Sequence, residues 1–174
     1  LETIGFDNQV SFAYYQGLQA IFEGYTLSPQ SNFMEELRMI KDEKELATIR
    51  KACSISDRAF TDVLDFIKPG QTTELQVANF LDFRMREYGA SGISFESIIA
   101  SGYRSAMPHG VASEKVIQSG ETLTMDFGCY YNHYVSDMTR TIHIGDTTDE
   151  EREIYDIVLR SNQALIDAAK AGMT

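Results

Sequence analysis

Apolar residues recur at three- and four-residue steps along several stretches of the chain and alternate with polar residues in others, which lays out helices and strands before any chemistry is considered. Residues 1–6 read as a short strand, 9–23 as a mostly apolar helix, and S-P-Q-S-N at 28–32 as a loop, followed by an extended M-E-E-L-R-M-I. Asp42 can then cap a helix with Glu45 reaching back, and Leu46, Ile49, Cys53, Phe60, Val63 and Ile67 make its apolar stripe. Pro69-Gly70 ends that helix. Thr73 with Gln76 opens another, which runs to about Tyr88 and is closed by Gly89. Residues 93–100 read as a strand, Gly102 to Gly120 as a loop-rich stretch, and Thr148 with Glu151 as the start of a last helix with Ile154, Ile157, Val158, Leu165 and Ile166 facing inward. Helices, then antiparallel strands, then a helix imply an α+β fold, an antiparallel sheet covered by amphipathic helices.

The most informative pattern lies between the last loop and the last helix. Residues 122–128 and 134–144 are rich in Thr, aromatic and β-branched residues, and a β-hairpin follows. With Tyr131 and Asn132 as its central residues, Asp126 faces Asp137, Thr124 faces Thr139 and Thr122 faces Thr141. The opposite face carries Leu123, Met125 and Phe127 against Arg140, Met138 and Ser136. Directly opposed carboxylates have Cβ atoms roughly 5 Å apart and repel. A hard divalent ion, or a pair of them, would neutralise them. The other reading is two solvated surface carboxylates in a register shifted by a bulge, and spacing alone leaves both open.

Composition narrows the field from the other side. A net charge of −11 and a pI near 4.6 argue against nucleic acid or an anionic membrane surface as partner, because both need a basic patch. No apolar run approaches the ~20 residues that span a bilayer, and the first residues carry no signal-peptide pattern. Cys53 and Cys129 lie far apart and outside any CxxC, as expected in a reducing cytoplasm. By strand parity Cys129 points away from Asp126, and both cysteines read as structural core residues. Of the histidines, His109 stands out, set between Pro108 and Gly110 in a loop that can present an imidazole at a cleft or simply expose it. His133 falls in the turn and His143 near the end of the second strand, where both read as surface or packing residues.

Four segments carry a family resemblance: I-K-P-G, S-G-Y-R-S-A-M-P-H-G-V-A-S, S-G-E-T-L-T-M-D-F-G and Y-V-S-D-M-T-R-T-I-H-I-G. In that order and at those distances they resemble the first half of the metal-dependent "pita-bread" peptidases, in the Xaa-Pro aminopeptidase and Xaa-Pro dipeptidase (prolidase) branch. S-D-M-T-R-T favours this branch over the related methionine aminopeptidases. The resemblance implies that Asp126 and Asp137 are two of five ligands to a pair of divalent metal ions, usually manganese. It implies that His109 is the histidine beside the metals, donating to the substrate or the tetrahedral intermediate. The implied reaction is attack by a metal-bridging hydroxide on short peptides with proline in the second position. The branch is commonly dimeric.

The same resemblance makes residues 1–30 the tail of a smaller α/β domain, 31–42 a connection and 43–174 the first half of the catalytic domain. The remaining ligands, one histidine and two glutamates, are then expected beyond Thr174, so the chain is expected to be a fragment and inactive by itself. A pita-bread binding module without catalysis and a creatinase-like hydrolase without metal are the competing readings. Retention of Asp126, Asp137 and His109 speaks against both, because a degenerate site has no reason to keep a repelling pair.

Overall fold

In the computed structural model, which describes residues 2–173, the chain divides into two compact units, one up to Leu46 and one from Ala47 onward. In the first, strands β1 (Thr3–Asp7) and β2 (Thr26–Gln30) pair in parallel across helix α1 (Phe12–Ile21), which Ser11 caps by accepting from the Tyr14 N–H. Helix α2 spans Phe33–Met39. Two sequence expectations fail here. The segment read as loop is largely strand, because Pro29 is tolerated where β2 has a single partner. The segment read as extended is a helix, with acidic residues in its first turn and Arg38 in its last, as the helix dipole favours.

Among the described residues, the second unit carries three α-helices and a bent hairpin. Helix α3 (Glu43–Phe66) starts at the expected capping box: the Asp42 carboxylate accepts from the Glu45 N–H at 2.9 Å, and the Glu45 carboxylate accepts from the Asp42 N–H at 2.6 Å. Helix α4 (Glu74–Glu87) opens on the Thr73–Gln76 box, and α5 (Asp149–Ala168) on the Thr148–Glu151 box. The buried face of α3 is Ala52, Ile55, Ser56, Ala59 and Val63, while Cys53, expected in the core, is exposed. Small side chains are what this face requires, since the Cys129 sulfur comes within 3.6 Å of the Ala52 carbonyl. Val77, Leu81 and Met85 of α4 meet the same core, and Phe66 stacks on Phe80 at 4.2 Å between ring centres. Fully burying a side chain the size of Ile55, Val63, Val77, Leu81 or Met85 contributes about 1.5–3 kcal/mol.

The sheet side of this unit begins with β3 (Gly92–Ile93) and β4 (Ile98–Ser101), so the single strand expected over 93–100 is two short ones. They belong to different sheets. Strand β5 (Glu121–Phe127) lies between β4 and β8 (Met138–Ile144), and β6 (Cys129–Tyr131) lies between β3 and β7 (Tyr134–Val135). Along β5 the pleat sorts residues as the sequence suggests. Leu123, Met125 and Phe127 are fully buried, and Thr122, Thr124 and Asp126 are half-buried on the other face. The apolar side chains of α5 expected to face inward are exposed instead, from Ile157 at 47% to Leu165 at 67%.

Between β4 and β5 the chain makes a long excursion through a short 3-10 helix (Gly102–Ala106), closed where the Lys115 ammonium meets the Glu121 carboxylate at 2.7 Å. Burial disfavours the charged carboxylate, but hydrogen bonds from Lys115 and from the Gln118 N–H outweigh it, and Glu121 is held below its ordinary value. A depressed carboxyl stabilises the fold above its unfolded pKa and loses that contribution as pH falls through the folded one. Glu121→Gln is therefore expected to lower the urea midpoint at neutral pH, and the gap from wild type should close as pH drops below 4.5. A gap independent of pH would show that the ion pair contributes nothing.

Candidate metal centre

The hairpin turns at Asn132 and His133, with φ of 45° and 70°, and not at Tyr131 and Asn132. Positive φ at both central residues is the turn geometry that matches strand twist, and Asn adopts it more readily than Tyr. Tyr131 is in addition held in β6, half-buried against the core. Every expected cross-strand pair is consequently shifted by two residues. Asp126 faces Thr139, Thr124 faces Thr141 and Thr122 faces His143, while Leu123, Met125 and Phe127 face Ile142, Arg140 and Met138. The direct opposition of Asp126 and Asp137 is wrong. A shift of two preserves parity, however, so both aspartates keep the polar face as diagonal neighbours.

What brings Asp137 toward Asp126 is a bend where β5 gives way to β6. Ser136 donates its N–H to the Cys129 carbonyl at 2.9 Å, and Phe127 pairs with Met138, so Asp137 comes level with Gly128. The backbones nearly touch there: a Cβ on Gly128 would stand 2.0 Å from the Ser136 carbonyl oxygen and 2.5 Å from Ser94 Oγ. Beneath the bend, Ser136 Oγ lies 2.7 Å from Ser56 Oγ and accepts from the Cys129 N–H at 3.0 Å, fixing the residue next to Asp137 to α3. Gly128→Ala is expected to cost roughly 1–3 kcal/mol through this overlap, read as a lower thermal midpoint. An unchanged midpoint would mean the bend relaxes freely.

The electrostatics of the pair are unfavourable as they stand. Burial pushes the Asp126 carboxyl above the ordinary aspartate value, a hydrogen bond with Thr139 offsets part of this, and the neighbouring Asp137 carboxyl raises it again by its charge and by direct contact. Asp126 Oδ1 is buried with no hydrogen-bond partner, the one such side-chain atom among the described residues. A buried acceptor left bare costs about 1–3 kcal/mol, which a cation would remove. The donor set, two carboxylates with one bare oxygen, suits a hard divalent ion. Among the described residues no third His, Cys, Asp or Glu completes a cluster with them.

His109 is exposed, in the loop between β4 and β5. Ile98 is paired with Asp126 on one side and bridged to Val111 on the other, so Val111, Ile98, Asp126 and Thr139 form one row across the strands. Gly110 sits over Ala100, where an added Cβ would be 2.9 Å from Ala100 Cβ, and Ala100 is the partner of Thr124. The residue after His109 therefore lies against β4, level with Thr124, two residues along β5 from Asp126. His133 lies in the turn. His143 is tied to α5, with Nε2 3.2 Å from Glu151 Oε1.

The chain is similar to known proteins in sequence and in fold. The family model of metallopeptidase family M24 matches residues 47–174. An Xaa-Pro dipeptidase of Pyrococcus furiosus is 39% identical over 99% of this chain and 49% of its own length. Among solved structures, an Xaa-Pro dipeptidase from Bacillus anthracis superposes with a TM-score of 0.93 at 43% identity, over 99% of this chain and 48% of that one. An X-Pro aminopeptidase from Thermotoga maritima does so with a TM-score of 0.94 at 38% identity, over 100% of this chain and 49% of that one. The chain thus spans about half the length of the relatives it matches.

Proposed function

The chain belongs to metallopeptidase family M24, and from that premise we propose that it is part of a metal-dependent exopeptidase that cleaves the bond between an N-terminal residue and a following proline. The observation that carries this reading is the bare, buried Asp126 Oδ1 beside the Asp137 carboxyl, with the loop that bears His109 bridged to the strand that pairs with Asp126. Asp126 and Asp137 would hold the metal, two divalent ions in the complete site and manganese by resemblance. Bound there, such ions supply Lewis acidity toward a peptide carbonyl and lower the pKa of water.

The chain's own residues divide the remaining work. Asp137 is the more exposed carboxylate and Asp126 the more buried, and the two would hold the cation together. Thr139 hydrogen-bonds Asp126 and fixes its rotamer, as a partner behind a metal ligand does. His109 donates to the oxygen on which negative charge develops, a part that an exposed imidazole can play. Two carboxylates and one donor make only part of such a site. The activity accordingly belongs to the full-length protein, and proline selectivity rests on surfaces outside these residues.

The test is hydrolysis by the full-length protein, freed of metal and then supplied with manganese, of Xaa-Pro dipeptides, of longer peptides with proline second, and of matched Xaa-Ala peptides. Metal-restored release of the residue before proline, with Xaa-Ala peptides cleaved far more slowly, is expected. Equal turnover of both sets would remove the proline assignment, and full turnover in chelator would remove the metal. The 174-residue chain alone is expected to show no cleavage. Manganese-dependent cleavage by the purified chain, lost in Asp137→Ala, would overturn the division of labour above.

A further inference from the structure

We infer that Glu74 and Arg104 are positioning residues for His109, holding the loop on both sides of the imidazole; the inference rests on the donor role given to His109 above. Glu74 is the first residue of α4 and is fully buried, an unusual place for a carboxylate unless it is paired. Its Oε1 accepts from the Ser101 N–H at 2.7 Å and from Ser101 Oγ at 2.9 Å. Its Oε2 accepts from Arg104 Nε at 3.0 Å, from Ser113 Oγ at 2.6 Å and from the Ser113 N–H at 3.2 Å. Five donors from three residues thus converge on one side chain.

The sequence positions of those donors give the carboxylate its role. Ser101 and Arg104 precede His109, and Ser113 follows it, so one buried group ties together the two arms of the excursion with His109 between them. Arg104 spans the gap a second time: while Nε is on Glu74, Nη2 donates to the Val111 carbonyl at 2.6 Å. The loop then needs little else to hold its shape. Met107 N–H donates to the Arg104 carbonyl, Gly110 N–H to Met107, and Val111 N–H to the His109 carbonyl at 2.9 Å. Neither Glu74 nor Arg104 is placed at the polar face by the strand register. Both act through backbone that a donor needs held within about half an ångström of its productive position.

Substitutions separate this role from simple stability. Arg104→Lys keeps the charge but loses the planar fork that reaches the carboxylate and the Val111 carbonyl together. Glu74→Gln keeps the shape but turns one acceptor toward donors. In the full-length protein Arg104→Lys is expected to lower kcat about tenfold or more, with KM and bound metal unchanged. Amide exchange at Val111 should quicken by about tenfold while that of Met125, in the core of β5, stays as in wild type. Glu74→Gln should show the same pattern.

The deciding measurement is the double-mutant cycle. If Arg104 acts through His109, adding Arg104→Lys to His109→Ala should cost nothing further in kcat. An equal loss in both backgrounds, or unchanged exchange at Val111, overturns the inference and leaves the donor role of His109 intact. If His109→Ala itself leaves kcat untouched, the donor role fails and this inference with it. Should Glu74→Gln not fold, Arg104→Lys carries the test alone, since Arg104 is partly exposed.

Discussion

Asp126→Asn in the full-length protein is expected to lose activity by more than the ~10–100-fold that removal of a partner behind a metal ligand costs, yet to hold or raise the thermal midpoint once metal is removed. The two halves of this expectation come from the same geometry. Without a cation, the Asp126 carboxyl is desolvated, leaves Oδ1 without a partner and lies beside the Asp137 carboxyl, its diagonal neighbour. The isosteric amide removes a charge from that environment, and its NH2 can donate to Asp137 where two acceptors previously met. With metal present the order reverses, because wild type gains the binding free energy in the folded state and the variant forgoes most of it. Thermal midpoints of both proteins, with manganese and with excess chelator, separate the cases. A variant less stable than wild type even in chelator would show Asp126 to be an ordinary structural hydrogen-bond acceptor, and the metal reading would lose its physical basis.

How much of this site the sequence reveals depends on how local each determinant is. The three capping boxes at Asp42, Thr73 and Thr148 are legible because every group that makes them lies within four residues. The sorting of β5 into a buried and a polar face is legible because the strand period is local too. The register is not, because it turns on which of two adjacent residue pairs takes the positive φ values. That choice was made by burial of Tyr131 against residues far away in sequence. The two-residue error did not change faces, so the site survived it. A one-residue error would have dispersed it.

Other features had no signal in the sequence at all. Glu74 looks like any acidic residue in the first turn of a capped helix, and its burial depends on Ser101, Arg104 and Ser113, which the chain delivers from 27 to 39 positions later. Gly128 looks like a turn glycine, whereas its function is steric, letting the Ser136 carbonyl pass where a Cβ would stand. Cys53 falls on the three- and four-step stripe of α3, but the face that packs is set by the small residues Ala52, Ser56 and Ala59. Helical periodicity locates an apolar stripe to within about one residue, and contact with the sulfur of Cys129 decides between neighbours.

His109→Ala is expected to leave bound metal near the wild-type amount in the full-length protein and to lower kcat by about 10²–10³-fold, the usual cost of one donor to a developing oxyanion. Metal content should hold because the carboxylates and the histidine come from different parts of the chain. Asp126 and Asp137 sit on the hairpin and its bend, and His109 sits on the excursion bridged to the outer side of β4. Removing the imidazole disturbs neither the Thr139 contact of Asp126 nor the Ser136–Ser56 link beneath Asp137. KM should move little, since an interaction made mainly as charge develops is missed in the transition state and not in the ground state. His109→Gln, which keeps an N–H donor on a side chain of similar reach, should recover part of the loss. Metal analysis alongside steady-state kinetics decides the matter. Metal lost in parallel with activity would make His109 a ligand, and a raised KM at constant kcat would make it a substrate-binding group with no part in stabilising the oxyanion.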